Sequence, residues 1–517
     1  LIVINNKKPN IILIMADQQQ ARLRKGAGYC FDTMPNLDKL AAKGTDIVNA
    51  ISPNPICAPA RSALFTGRYS SANKVRTNHN LRDAFYEKDL LDVLKENGYR
   101  TALCGKNHMY RKPSEDFDFD AETNHLGNEP GRDCEPDSEE MRAYRRFLRG
   151  TKFTDWQEPC PFGVEYSLPY RNVSSALRFI DSSADSPFFI WLSFAEPHNP
   201  YQVPYPYYDM FRPDELPALE SETIDLAEKG HRFVWLKNQW DIILGDDKAR
   251  IARMRSNYLG MLRLIDDQLG RLFNGLSERG IYDDTLIIYV SDHGDFAGEY
   301  GMMRKGADLA DILARVPMIW KIPGFKGRGR VEEGYANLID VFPTVCDYLG
   351  VDIPFGVQGK SILPMLRSDE EYEKYKEEFD SAISESGFGG LYFNDDDELT
   401  PVEEGSVGPN YDTLDCLNTW TQCGYVRSVW YEGYRLQLDM DGHGYLYDVK
   451  NDYAELKNLY NDPDFANVKL KMLEKLAIKE MELSDPIPLP HFRYRYKRHP
   501  KNYSHQKFIW KKESNTQ

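Results

Sequence analysis

Cys57 lies between Pro55 and Pro59, four residues ahead of Arg61, and leads into Ser62-Ala63-Leu64-Phe65-Thr66-Gly67-Arg68. Pro55 holds the backbone extended on one side, and Pro59 pre-sets a helical first turn on the other. The thiol is therefore expected at a helix N-terminus, where backbone N–H groups and the helix dipole favour negative charge. Such a site lowers a thiol pKa or cradles an oxyanion. Taken alone, the same features fit a buried structural cysteine at a strand–helix junction equally well.

Two further blocks carry groups that could hold a cation. Asp17-Gln18 directly follows the apolar run Ile11 to Ala16, and Asp292-His293-Gly294-Asp295 directly follows Thr285 to Ser291. Two carboxylates and an amide oxygen are hard donors, suited to Ca2+ rather than to a soft metal. Cationic and imidazole groups sit in the same setting. Gly105-Lys106-Asn107-His108 follows Thr101 to Cys104, Glu196-Pro197-His198-Asn199-Pro200 follows Ser186 to Ala195, and Lys305 closes Gly301-Met302-Met303-Arg304. Singly, each Asp reads as a turn residue, each Lys as a solvated charge and each His as a loop residue.

The elements that must position these groups alternate. The apolar runs read as strands covered on both faces, and Val316 to Ile322 is another. Helical patterns occupy Met34 to Lys43, Leu90 to Asn97, Lys248 to Leu276 and Val341 to Leu349. Strands separated by helices imply a mostly parallel sheet in an α/β sandwich, with functional groups beyond the strands' carboxyl ends. Composition changes after about Pro364. Glu370 to Glu378 reads as a charged helix and Asn394 to Glu404 as an acidic loop. Tyr425 to Trp430, Tyr434 to Met440 and Gly444 to Val449 read as three short strands, and Phe465 to Glu482 as a helix. The expected division is a catalytic α/β domain at 1–364, a smaller α+β domain with an antiparallel sheet at 365–490, and a basic aromatic tail at 491–517.

Composition narrows the function classes. A chain of 517 residues is long for one core, and 41% hydrophobic with 13% aromatic content implies a packed globule. A net charge of −16 disfavours nucleic acid, so an anionic substrate would need positive charge concentrated in its pocket. No apolar run reaches membrane-spanning length. Eight cysteines occur without CxxC pairs, and the seven besides Cys57 suit a full disulfide framework poorly. A reduced, cytoplasmic protein is the expectation; a leader removed ahead of Leu1 would make it periplasmic or secreted.

The segment Cys57-Ala58-Pro59-Ala60-Arg61, with Leu64-Phe65-Thr66-Gly67-Arg68 after it, resembles the signature of the formylglycine-dependent sulfatases of the alkaline-phosphatase-like superfamily. Five later blocks fall in that family's order: the Lys106 and His108 block, the His198 block, the Asp292 block, Lys305, and Tyr445-Leu446-Tyr447-Asp448 with Asn451 to Glu455. The resemblance covers most of residues 9 to 350 and, more loosely, 420 to 482. It implies oxidation of Cys57 to formylglycine by a formylglycine-generating or anaerobic sulfatase-maturing enzyme. It also implies Ca2+, in preference to Mg2+, at Asp17, Gln18, residue 57, Asp292 and His293. The hydrated aldehyde would attack sulfur, with Arg61 holding its hydroxyl. Lys106, His198, Lys305 and Asn78 would bind the ester oxygens. His198 would protonate the departing alcohol, and His108 would take the proton from the second hydroxyl.

The substrate this resemblance implies is a sulfated carbohydrate of the glycosaminoglycan type. Many sulfatases carry Asp-Asp where this chain has Asp17-Gln18, and the Gln form also occurs in choline-sulfatase-like and phosphonate-monoester-hydrolase-like relatives. A small-ester hydrolase therefore stays open as the alternative. Gly105-Lys106-Asn107-His108 favours a sulfatase, because phosphonate-hydrolysing relatives tend to lose that Lys and His. Choline would need an aromatic cage, for which Tyr201, Tyr205, Tyr207 and Tyr208 are candidates. His491 to Lys512 holds eight Lys or Arg and no acid. This stretch is expected either to help bind an anionic sugar chain, over its own pocket or a neighbouring subunit's, or to strap onto the acidic body. Oligomeric state stays open.

Overall fold

The strand at Asn10–Asp17 is apolar on both faces because both faces are covered. Ile12, Ile14 and Ala16 enter one core with the helices Leu168–Asp181 and Lys248–Glu278. Ile11, Leu13 and Met15 enter a second core with Cys57–Thr66, Leu90–Glu96 and Val341–Leu349. Each fully buried Ile or Leu contributes about 1.5–3 kcal/mol, so this strand anchors both layers. A computed structural model describes residues 8–123, 130–151, 154–183, 186–245, 247–306, 308–388, 424–484 and 506.

In chain order the strands are β1 (Asn10–Asp17), β2 (Thr45–Ile47), β3 (Ala50–Ile51), β4 (Arg100–Gly105), β5 (Phe119–Glu122), β6 (Phe188–Pro197), β7 (Thr285–Ser291), β8 (Met318–Lys321), β9 (Gly329–Val331) and β10 (Ala336–Asn337). They are followed by β11 (Ser381–Ser386), β12 (Val426–Tyr431), β13 (Tyr434–Asp439) and β14 (Gly444–Tyr447). Eight strands form the main sheet in the order β5-β4-β6-β1-β7-β8-β2-β9, and only β8 runs against the rest. A parallel pair, β3 with β10, lies apart. The mostly parallel α/β sandwich and its long helix agree with the sequence reading. That helix, Lys248–Glu278, is capped where the Asp247 side chain accepts the Arg250 N–H (3.0 Å) and stops at Gly280, whose φ is +67°.

The smaller sheet is an antiparallel meander of four strands, β11 to β14, one more than the sequence reading expected. The addition, Ser381–Ser386, reads Ser-Ala-Ile-Ser-Glu-Ser, a polar run that carries little strand signal yet is buried throughout. One face packs Ile383, Val429, Leu436 and Leu446 on Met472, Leu476 and Leu483 of the helix Ala466–Ser484. The other face packs Ala382, Trp430 and Tyr447 on Ile51, Ala314 and Tyr335 of the main body. The expected acidic loop at 394–404 and nearly all of the basic tail lie outside the described residues. Gln506 is the exception: it is buried, its amide accepting the Ser361 N–H (2.8 Å) and donating to the Ser361 carbonyl (2.7 Å). Among the described residues no helix is long and apolar enough to cross a membrane.

Candidate active site

Four neighbouring parallel strands, β4, β6, β1 and β7, end side by side, and each hands over directly to a polar side chain. Lys106 follows β4, His198 follows β6, Gln18 follows Asp17 of β1, and Asp292 follows β7. Two glycines make the ends fit. Gly105 has φ +111°, and a Cβ there would lie 1.9 Å from the Ser193 carbonyl oxygen, which accepts the Lys106 N–H (2.8 Å). A Cβ on Gly294 would lie 2.0 Å from the Ile312 carbonyl oxygen. Gln18 itself has φ +74°, a conformation costing an ordinary residue about 1–3 kcal/mol. Its N–H donates to Asp292 Oδ1 (3.0 Å), which ties the β1 end to the β7 end.

Cys57 is the first residue of the helix Cys57–Thr66, as its flanking prolines imply. The residue before it, Ile56, has no side chain able to cap the helix; Asn78 Oδ1 accepts the Ala58 N–H instead (2.8 Å). The Cys57 Sγ lies 3.3 Å from His293 Nε2 and 3.7 Å from Asp17 Oδ1. Arg61, one turn further on, is wholly buried. Its guanidinium donates to Asp17 Oδ2 (2.8 Å), Asp292 Oδ2 (2.9 Å), Ser193 Oγ (2.7 Å) and the carbonyls of Lys106 and Asn107 (both 3.2 Å). By taking one oxygen of each carboxylate, Arg61 leaves both Oδ1 atoms turned toward His293 Nε2, at 4.0 and 3.6 Å. Lys106 Nζ pairs with Asp17 Oδ2, and Lys305 Nζ donates to Gln18 Oε1 (2.9 Å).

This arrangement sets the protonation states. Burial pushes Asp17 up, but Lys106, His198, Arg61 and His293 outweigh it and hold the carboxyl well below its usual range. Asp292 is pushed up to about 6 by burial and by the Asp17 charge beside it. Burial and Asp17 both oppose a Cys57 thiolate, yet Lys106, Lys305 and His293 bring the thiol down to about 6. His108, with φ +61°, is driven well below the usual imidazole range by burial and by the charges of Lys106 and Arg61. It is therefore unprotonated at neutral pH.

The buried set fits a metal ion. One ligand atom from each of Asp17, Cys57, Asp292 and His293 falls within 4.8 Å of all the others. His293 Nδ1 donates to the Gly294 carbonyl (2.9 Å), which leaves the Nε2 lone pair facing the two carboxylates. Gln18 adds an amide oxygen beside them, shared with Lys305. His198 is buried at the end of β6, where its Nδ1 donates to the Asn199 carbonyl (2.9 Å). Of the residues picked out from sequence, Asp17, Gln18, Cys57, Arg61, Lys106, Asp292, His293 and Lys305 form one contiguous buried cluster. Asn78 touches that cluster through the helix N-terminus.

Two further residues complete it. Asp295 accepts the Gln18 amide N–H (2.6 Å), the Tyr201 hydroxyl (2.6 Å) and the Arg304 backbone N–H (2.8 Å), so it both orients Gln18 and brings Lys305 back to the site. Ser193, inside β6, supplies the hydroxyl that receives Arg61. Asp295 stood within the quoted Asp292 block; the contact that gives it meaning spans 277 positions to Gln18 and has no local signature. Tyr201 corrects the cage expectation. It is fully buried on Asp295, Tyr207 bonds Asp267 (2.9 Å) and Tyr208 bonds the Gln157 carbonyl (2.6 Å), while Tyr205 is 58% exposed. Their hydroxyls serve three separate partners, and the rings line no common cage.

Residues 9–351 match the family model described as Sulfatase. The chain is 27% identical over 500 residues to an arylsulfatase of Clostridium perfringens, covering 92% of this chain and 95% of that protein. In fold it is similar to the phosphonate monoester hydrolase of Agrobacterium radiobacter (TM-score 0.72, 23% identity, 93% of this chain and 97% of that one). It is also similar to a structure in complex with its substrate D-glucosamine-2-N,6-O-disulfate (TM-score 0.67, 18% identity, 93% and 99%). The chain belongs to the sulfatase family, within the alkaline-phosphatase-like superfamily, and is a sulfuric ester hydrolase.

Proposed function

We propose that this hydrolase releases sulfate from a sulfated carbohydrate of the glycosaminoglycan type, using formylglycine made from Cys57 and a bound Ca2+. When in place, the converted residue supplies an attacking hydroxyl, and Ca2+, held by Asp17, Gln18, residue 57, Asp292 and His293, supplies Lewis acidity. Arg61 fixes both carboxylates and presents charge at residue 57. Lys106, paired with Asp17, and Lys305, bonded to Gln18, both bring positive charge toward residue 57 and bind sulfate oxygens. His198 gives a proton to the leaving alcohol, and neutral His108 takes one from the second hydroxyl at residue 57.

The observation that carries this reading is the placement of Lys106 and Lys305 about a buried Cys57, with a neutral His108 beside Lys106 and Arg61. Two cations and a neutral imidazole suit a tetrahedral anion and a proton-accepting second step. The structure similar in fold that holds a sulfated glucosamine supports a sugar as the alcohol. The dispersed tyrosines weigh against choline, while Gln18 keeps the small-ester alternative testable. Ion chromatography of released anions separates them. The converted enzyme is given sulfated glycosaminoglycan oligosaccharides, choline sulfate and a phosphonate monoester in parallel. Sulfate from the sugars is the expected result; product from a small ester alone would overturn the carbohydrate assignment.

A further inference from the structure

Glu196 is a buried carboxyl that the chemistry above leaves idle. It lies in β6, two residues before His198, and is 8% exposed. Among the described residues its Oε2 has no hydrogen-bond partner, and neither has the buried Gln202 Oε1. Gln202 reaches the Tyr144 hydroxyl only through its Nε2 (3.4 Å). Both residues line the same two small cavities, each about 10 Å³, close to the volume one water needs. His198 forms part of the wall of one cavity, and Tyr144 and Cys160 part of the wall of the other.

Two bare acceptors on shared cavities lack a donor, at a cost of about 1–3 kcal/mol for each one left unsatisfied. The remaining walls of the His198 cavity include Leu148, Ala195, Pro200 and Met261. Such walls suit a neutral acid and a single water better than a cation, which would need several more oxygens. We propose that Glu196 is a positioning residue for His198 that acts as the neutral acid. Its carboxyl O–H donates to Gln202 Oε1, directly or through one water, and this bond fixes the turn from Pro197 to Pro200 that aims the imidazole.

The surroundings keep that proton in place. Burial lifts the Glu196 carboxyl to about 8 against a hydrogen bond from its own backbone N–H, with the Asp17 charge adding to the rise. The groups facing it are His198 from its own turn, Asp17 from β1, Tyr144 from the helix Glu139–Gly150, and Cys160 from the loop beyond that helix. The helix Lys248–Glu278 adds only Met261 and Leu264. Burial pushes the Tyr144 hydroxyl well up and the Cys160 thiol to about 12, so neither ionises in the range where Glu196 does.

The inference rests on His198 protonating the leaving alcohol, so the test carries a control for that reading. Rates are measured against pH on an aryl sulfate, whose phenolate leaves unaided, and on a sugar sulfate, whose alkoxide needs a proton. His198→Asn should slow the sugar sulfate far more than the aryl sulfate; equal loss on both esters would sink the His198 role and this inference with it. Glu196→Gln keeps a donor without an ionisable proton. It should retain neutral-pH kcat within about twofold and lessen the fall in sugar-sulfate kcat expected of the wild type above pH 8. Glu196→Leu should lower kcat on the sugar sulfate about tenfold or more while barely changing the aryl sulfate, and Gln202→Leu should reproduce that pattern.

Stability gives a readout independent of turnover. A carboxyl whose folded pKa is raised from its usual 4.5 to about 8 favours the fold below 4.5 and loses that advantage as pH rises to 8. The wild-type thermal midpoint should therefore decline over that window more steeply than that of Glu196→Gln. Superimposable pH profiles for wild type and Glu196→Gln, with the His198 control behaving as expected, would overturn the inference alone.

Discussion

Two of the buried ionic clusters among the described residues are built to opposite ends. Where the small sheet meets the main body, Glu455 accepts Lys229 (2.8 Å), Arg435 (2.5 Å) and the Asp311 N–H (3.1 Å). Asp311 in turn takes Arg315 (2.8 Å) and the Trp430 indole N–H (2.7 Å). Each charge there meets opposite charge or a donor, and nothing is left to bind. Around Cys57 the pairing is deliberately incomplete in its geometry. Arg61 satisfies one oxygen of Asp17 and one of Asp292, and their other oxygens converge on one point with His293 and the thiol. Burial and the Asp17 charge beside it raise Asp292, and a cation held between the two carboxylates would relieve that repulsion. A closed cluster holds domains in place; an open one stores electrostatic potential for chemistry.

Breaking the open cluster should cost activity far more than stability. Cys57→Ala or Cys57→Ser should lower kcat by at least about 10⁴-fold with no loss of folded protein, read by single-turnover sulfate release and circular dichroism. Normal turnover in either variant would end the formylglycine mechanism. Lys106→Ala removes one cation from the sulfate site yet leaves Arg61 on Asp17, so about 10²–10³-fold in kcat is expected with a nearly unchanged thermal midpoint.

The closed cluster should show the reverse. Glu455→Ala strands Lys229 and Arg435 without their counter-charge and should cost about 3–5 kcal/mol in urea unfolding, while kcat per folded molecule barely moves. A large kcat loss there would mean that the small sheet helps shape the site. Metal sharpens the same contrast. Ca2+ at about 100 times its Kd should stabilise the fold by about 2.7 kcal/mol, chelation should reverse this, and Asp292→Asn should abolish the response while Glu455→Ala keeps it.

How legible each region was in the sequence follows from where its information lies. β1, β6 and β7 announce themselves because burial on both faces demands unbroken apolar runs. The blocks of the candidate site after β1, β4, β6 and β7 stand out because each is tied to the end of such a run. By contrast, β2, β3, β9 and β10 are two or three residues long, too short to show any period. The helix Leu168–Asp181 carries polar and apolar residues with Pro169 at its start and was not singled out. Asp295 and Tyr201 lay within quoted stretches, but their roles depend on contacts 94 to 277 positions apart. For the same reason four nearby tyrosines suggested a cage, although three of their hydroxyls serve separate partners and the fourth ring, Tyr205, is exposed.

The smallest expected effect isolates the electrostatics from burial. Cys57, Cys104 and Cys346 are all fully buried, and burial raises a thiol pKa in every case. Cys104 is raised by burial and Cys346 is pushed up to about 12, whereas Cys57 comes down to about 6 because Lys106, Lys305 and His293 surround it. Alkylation of the metal-free, unconverted chain, read residue by residue in a mass spectrometer, should therefore show a pH midpoint near 6 at Cys57. Cys104 and Cys346 should stay unlabelled until the protein unfolds. Access sets the absolute rate but not the midpoint, so a slow reaction would not blur the comparison. Lys305→Ala removes one of the cations favouring the thiolate and should move the Cys57 midpoint upward, toward the ordinary thiol value near 9. A wild-type midpoint already near 9 would show that the cations do not govern the thiol, and the distinction between open and closed clusters would then rest on geometry alone.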